Sequence, residues 1–314
     1  MTLLRGSVDF RDAVIEAASR LGIAERQVEK DYWVTATLRC LAERFDGQFL
    51  FKGGTSLSKA YRLVERFSED IDLLLLSKEG AATEGLLDAL AAAVSEVCGT
   101  TATVDGGTEG FARRMLFAYP ELPNTRKAPG MRRQIVVEPG LRGGPRPHER
   151  RVIEPLMAEA LGPDVAFDDL ASFDIDVLHP ARTMIEKLFA VDSMSQRLVL
   201  DSELRLPDTA VRHFYDLYFL WDEEHSPALG WLQDGDNQEA VIADCLEVSR
   251  RWFSESAVVP EGGFAHSLAF TDEGLSRRLQ LPYERMMAAV CYPQAPRPTL
   301  DVVRGRAREL EGRI

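Results

Sequence analysis

Two aspartates, Asp70 and Asp72, stand one residue apart behind a small-residue turn, Gly53-Gly54-Thr55-Ser56. A glycine turn that opens a helix offers backbone N–H groups to phosphate oxygens. Alternate residues of a strand share a face, so Asp70 and Asp72 project side by side while Ile71 packs behind them. Adjacent carboxylates repel unless a hard cation lies between them, and Mg²⁺ (or Mn²⁺) also suits a triphosphate. The stretch between Phe51 and Leu75 therefore reads as a metal–nucleotide site. Gly53, Gly54, Thr55 and Ser56 would cradle the phosphates. Lys52 either adds a point charge or is an exposed strand-end lysine. No GxxxxGK[ST] and no GxGxxG occurs where a P-loop or a Rossmann turn would need it.

Further along, Lys187 falls on a helical face otherwise apolar through Ile185, Leu188 and Val191. A lysine entering such an interior is costly unless it meets an anion. Asp216 is flanked by Tyr215, Leu217, Phe219 and Leu220, and a carboxylate so placed needs a partner. Lys187, Arg182 and Arg212 are available. Arg182 lies about one turn before Lys187 but four residues before Glu186, so a simple ion pair competes with a role in binding. His213 reads either as a base or as a structural histidine among aromatics. Lys30 and Asp31 would line the same cleft.

These residues need a scaffold. Apolar spacing predicts helices over 8–21, with Gly22 as its C-cap, and over 24–45. A strand at 48–52, a helix at 56–65 and a buried strand at 71–76 follow. A helix at 84–97 leads to strands at 101–104, 111–119 and 133–137. The Gly/Pro-dense stretch 138–147 closes this half as a loop. Beyond Arg150 the pattern turns helical, over 152–161, 181–194, 208–221, 238–253, 283–290 and 300–310. The expectation is an α/β (α+β) protein, with a mixed sheet and helices in residues 1–148 and a mainly helical domain in 149–314 completing a cleft.

Composition narrows the class. The chain has 314 residues, 45% of them hydrophobic and 28% charged, as in a soluble globular protein. No apolar run nears the roughly 20 residues that span a bilayer, and no signal core opens the chain, so a cytoplasmic protein without membrane contact is expected. The cysteines, Cys40, Cys98, Cys245 and Cys291, are scattered and suggest reduced thiols. The net charge of −13 is uneven. Arg113, Arg114, Arg126, Lys127, Arg132, Arg133, Arg142, Arg146, Arg150 and Arg151 share a window with only Glu121, Glu138 and Glu149, which makes it +7. The other 27 basic and 47 acidic residues carry −20. Such a region is either a polyanion site or a set of locally paired arginines.

FKGGTSLSKAY followed by SEDIDL resembles the nucleotidyltransferase superfamily related to DNA polymerase β, and more narrowly the AbiEii/AbiGii toxin family. HPARTMIEKLFA at 179–190, RHFYDLYFL at 212–220 and VEKDYWVTATLRCL at 28–41 are similar to other motifs of that family, in order and in rough spacing. The resemblance implies a polymerase-β-like catalytic domain and Mg²⁺-dependent transfer of a nucleoside monophosphate from an NTP, with Asp70 and Asp72 as metal ligands. It also implies a third carboxylate, for which Glu138 stands at the right place unless it only pairs with Arg142. Lys187 becomes the catalytic lysine reaching the triphosphate, with Arg182 beside it, and Asp216 belongs to the active site or orients Lys187. Type IV toxin–antitoxin membership implies a cognate antitoxin and an RNA acceptor, first of all the tRNA 3′ end. Arg113, Arg114, Arg132, Arg133 and Arg142 would then hold RNA. The alternatives are a small-molecule or protein nucleotidylyltransferase, and a non-catalytic nucleotide-binding partner protein.

Overall fold

The structure is a computed structural model and describes residues 3–126, 131–163, 165, 167–206, 208–252 and 257–314. Lys127 and Phe253 lie outside the described residues. The chain divides into two compact units. The first holds residues 1–62, 67–141 and 148–177, and the second residues 63–66, 142–147 and 178–314.

In the first unit, α1 (Phe10–Leu21) ends at Gly22, whose left-handed φ of 67° lets its N–H reach the Ala18 and Ser19 carbonyls. Helix α2 (Glu25–Arg44) follows. Then come β1 (Phe49–Lys52), α3 (Gly53–Lys59) and β2 (Asp70–Leu75). Helix α4 (Ala81–Cys98) precedes β3 (Thr103–Thr108), β4 (Ala112–Ala118) and β5 (Gln134–Gly140). The unit ends with β6 (His148–Ile153), α5 (Leu156–Leu161) and β7 (Phe173–Leu178). The seven strands form one mixed sheet in the order β3-β4-β5-β2-β1-β7-β6. Strand β2 runs antiparallel to β1 and parallel to β5, while β1 runs parallel to β7. Ile71, Leu73 and Leu75 alternate with the aspartates and are buried, as are Ile135 and Val137 of β5. Helices α2 and α4 pack on each other and reach β5 and β4 respectively.

The second unit is helical: α6 (Pro180–Leu200), α7 (Arg212–Leu220), α8 (Pro227–Leu232), α9 (Gly235–Trp252), α10 (Leu268–Thr271), α11 (Glu273–Val290) and α12 (Leu300–Glu309). Helix α6 is the hub and packs against α7, α8, α9 and α10. His179 caps it by accepting the Ala181 N–H on Nδ1 at 3.1 Å, and Pro180 fills the first helical position, where a missing N–H costs nothing. Residues 63–66 join this unit through a bridge between Arg66 and Cys291 and through the Tyr292 N–H, which donates to the Glu65 carbonyl.

The α/β class and mixed sheet are those expected. Three local readings change. Helix α3 begins at Gly53 and stops at Lys59, because residues 63–66 pair with 291–292. Glu138 and Pro139 lie inside β5, not in a loop, since the parallel ladder with β2 runs through them. The stretch after 148 is not helical at once: β6 and β7 join the sheet, with α5 between them in the chain. Strand β6 is an edge strand with exposed His148, Arg150 and Arg151, and such a strand lacks the buried alternation by which strands are recognised.

Candidate active site

The acidic face is built by register. Asp72 pairs with Lys52 on β1 and with Glu138 on β5. Paired residues of neighbouring strands share a face, so Lys52, Asp72 and Glu138 form a row, with Asp70 two residues away on the same side. The β4–β5 register extends the row to Arg114, whose Nε donates to Glu138 Oε1 at 2.7 Å. The charges run plus, minus, minus, plus across four strands.

The glycine turn presses on this row. Gly53 has φ 79° and a β-carbon there would overlap the Asp72 carboxylate, so only glycine fits. Thr55 is buried and donates its hydroxyl to the Asp70 carbonyl at 2.5 Å, tying α3 to the start of β2. The Ser56 hydroxyl is buried and donates to the Gly53 carbonyl at 2.9 Å. Both hydroxyls therefore tie the turn together. Half-exposed Gly53 and Gly54 remain, with the N–H groups that a first helical turn leaves without intrahelical acceptors.

Asp70 Oδ1 is buried without a hydrogen bond, and Arg132 Nη1 stands 3.8 Å from it. An unsatisfied carboxylate oxygen beside a second carboxylate suits a hard cation with oxygen ligands. Among the described residues no three His, Cys, Asp or Glu side chains converge as a metal group. Glu138, the expected third ligand, is in register, and its Oε1 accepts from Arg114 Nε. The residues present thus fit a divalent cation on Asp70 and Asp72.

Behind β2, Lys30 is fully buried and donates to Glu69 Oε2 and to the Arg132 carbonyl, at 2.5 and 2.8 Å. Burial pushes its pKa down, while Glu69 opposes that shift. Asp31 accepts from Lys59 Nζ and so pins the end of α3 to α2. Lys30 and Asp31 brace the motif and do not line it.

In the second unit, Asp216 is wholly buried. Arg66 grips it with Nε and Nη2, at 2.7 and 2.8 Å, and Lys187 Nζ lies 2.8 Å from Oδ2. Burial alone would raise the Asp216 carboxyl, but Arg66 and Lys187 together hold it well below the usual range. His213 Nδ1 stands 3.4 Å from Lys187 Nζ, and burial and that lysine push its pKa down to about 3, so it is neutral at pH 7. Of the partners the sequence offers Asp216 (Lys187, Arg182 and Arg212), the structure supplies Lys187 and adds Arg66, which no local pattern marks because its partner is 150 residues away. Arg182 is buried and paired through Nε with Glu186 at 3.0 Å and through Nη1 with Asp244, while its Nη2 is buried without a hydrogen bond.

Of the expected RNA-binding arginines, Arg113, Arg114, Arg132 and Arg133 lie in the first unit and Arg142 in the second. Arg113 pairs with Glu84 and Asp88, and Arg114 with Glu138 and Asp105. Arg132 and Arg133 are exposed in the first unit, whereas Arg142 is exposed in the second. Charge counting cannot see such pairing.

The family model described as nucleotidyl transferase AbiEii toxin of type IV toxin–antitoxin systems matches residues 37–303. The chain belongs to the AbiEii family. Its match spans the glycine turn, the Asp70–Asp72 pair and the Lys187–Asp216 pair. The AbiEii chain is thus a nucleotidyltransferase, and membership carries an NTP substrate and an antitoxin partner. The solved structure of MenT4, a nucleotidyltransferase toxin from Mycobacterium tuberculosis H37Rv, is similar over 91% of this chain and 95% of its own, at 16% identity and a TM-score of 0.33. No curated protein matches the chain. No helix among the described residues is long and apolar enough to cross a membrane.

Proposed function

We propose that this toxin transfers a nucleoside monophosphate from an NTP to the 3′ end of RNA, with tRNA as the first candidate, in the cytoplasm. The observation that carries the reading is the register of Asp72 beside Glu138, with Gly53 packed on Asp72. Asp70 and Asp72 would hold Mg²⁺ or Mn²⁺, which when bound offsets the charge that builds as pyrophosphate leaves. The backbone of Gly53 and Gly54 would receive phosphate oxygens, and Lys52 adds charge on the same face. Lys187 is proposed to serve the triphosphate, held in one orientation by Asp216 and Arg66. Arg132 and Arg133 remain exposed cations for a polyanionic acceptor.

A second reading, a small-molecule or protein acceptor, is favoured by the pairing of Arg113 and Arg114 and by the net charge of −13. Incubation with each labelled NTP, Mg²⁺ and either total RNA or a protein extract separates the two. Label in RNA supports the first reading, and label only in protein supports the second.

A further inference from the structure

Arg114 is the one member of the charged row without an assigned task. It lies on β4, next to the strand of Glu138, and only 26% of its side chain is exposed. Its Nε is spent on Glu138 and its Nη1 on Asp105 of β3, so two carboxylates fix the fork. Glu138 has a choice. Its register places it beside Asp72, where two carboxylates repel, while Arg114 offers it a charge-assisted hydrogen bond on the other side. A cation on Asp70 and Asp72 would compete with Arg114 for the Glu138 carboxylate, whose Oε1 now accepts from Arg114.

We propose that Arg114 is a positioning residue that draws Glu138 off the Asp70–Asp72 pair, limiting the site to two carboxylates until the guanidinium is displaced. The proposal rests on the reading of Asp70 and Asp72 as cation ligands. It makes Arg114 a determinant of metal affinity, and Asp105 the anchor that keeps its fork in place.

The test is Mn²⁺ binding to the full chain, read from the free-ion paramagnetic resonance signal, with folding followed by circular dichroism. Arg114→Gln should tighten Mn²⁺ about tenfold, the scale of one hydrogen bond to a charged group. In a Glu138→Gln background the same change should tighten it by less than about twofold, because no carboxylate is released. Arg114→Lys, which keeps a cation for Glu138, should stay near wild type. Arg114→Met keeps the packed stem and replaces the glutamine variant if that one melts early. Equal tightening in both backgrounds would reduce Arg114 to a distant charge and overturn the proposal, as would no tightening. If Asp72→Asn leaves Mn²⁺ binding unchanged, the metal reading fails and takes the proposal with it. If Asp72→Asn abolishes binding and Arg114→Gln has no effect, only the role of Arg114 is lost.

Discussion

Arg66 and Asp216, 150 residues apart, make two parallel hydrogen bonds in a setting where neither is more than 2% exposed. A planar guanidinium matches a carboxylate in this way and a lysine does not. Arg66→Ala would leave Asp216 buried with Lys187 alone, at a cost of about 3–5 kcal/mol. Arg66→Lys should cost less but still loosen Lys187. Urea melts check the first effect. A fall in kcat for Arg66→Lys with its fold intact checks the second.

The acid sensitivity of that network follows from its sign. The Asp216 pKa is depressed on folding, so its contribution is fully present above the unfolded carboxylate range and is lost only as pH falls through the lower folded value. Between pH 5 and 8 the stability of an Asp216→Asn variant relative to wild type should therefore be constant. A difference that changes with pH in that window would contradict the assignment.

Glu29 shows the opposite sign. Its carboxyl is buried, and burial raises its pKa from 4.5 to about 7 although it accepts the Leu122 N–H. A raised acid pKa means that the folded state holds the proton longer, so stability is lost as pH rises from 4.5 to about 7 and is then level. Glu29→Gln should remove that slope and stabilise the protein at pH 8 by on the order of 1–3 kcal/mol. Thermal melts of both proteins from pH 4.5 to 8 measure it.

Gly53→Ala should cost about 1–3 kcal/mol through its positive φ and should abolish transfer by displacing Asp72. Gly85→Ala in α4 is the control. A β-carbon there meets nothing within 4 Å, and the exposed helical site should gain about 0.5–1 kcal/mol. Melts and a transfer assay on both variants decide whether the close approach at Gly53 matters.

The order of strand, glycine turn, helix and acidic strand was legible because local chemistry dictates it. Glycine is needed at positive φ, and the alternation Asp70-Ile71-Asp72 fits only a strand with one polar face. The start of α6 was equally legible, expected at 181 and found at Pro180. Long-range pairing was not. Nothing around Lys30 distinguishes it from a solvated helix lysine, yet it is buried against Glu69. Arg66 carries no local mark of its distant partner, and charge counting over 113–151 leaves a polyanion site and locally paired arginines equally open. Strands β6 and β7 went unseen because one carries exposed charges at a sheet edge and the other is a short FDIDVL stretch whose parallel partner, β1, lies far back in the chain.

The most direct test is incorporation from each of four labelled NTPs, with Mg²⁺, into purified total RNA, comparing wild type with Asp72→Asn. The expected result is label on tRNA-sized RNA from wild type, with the variant lower by about three orders of magnitude, the several kcal/mol that a lost metal ligand represents. RNA that stays unlabelled with every NTP, or equal labelling by Asp72→Asn, would contradict RNA nucleotidyl transfer at the Asp70–Asp72 site.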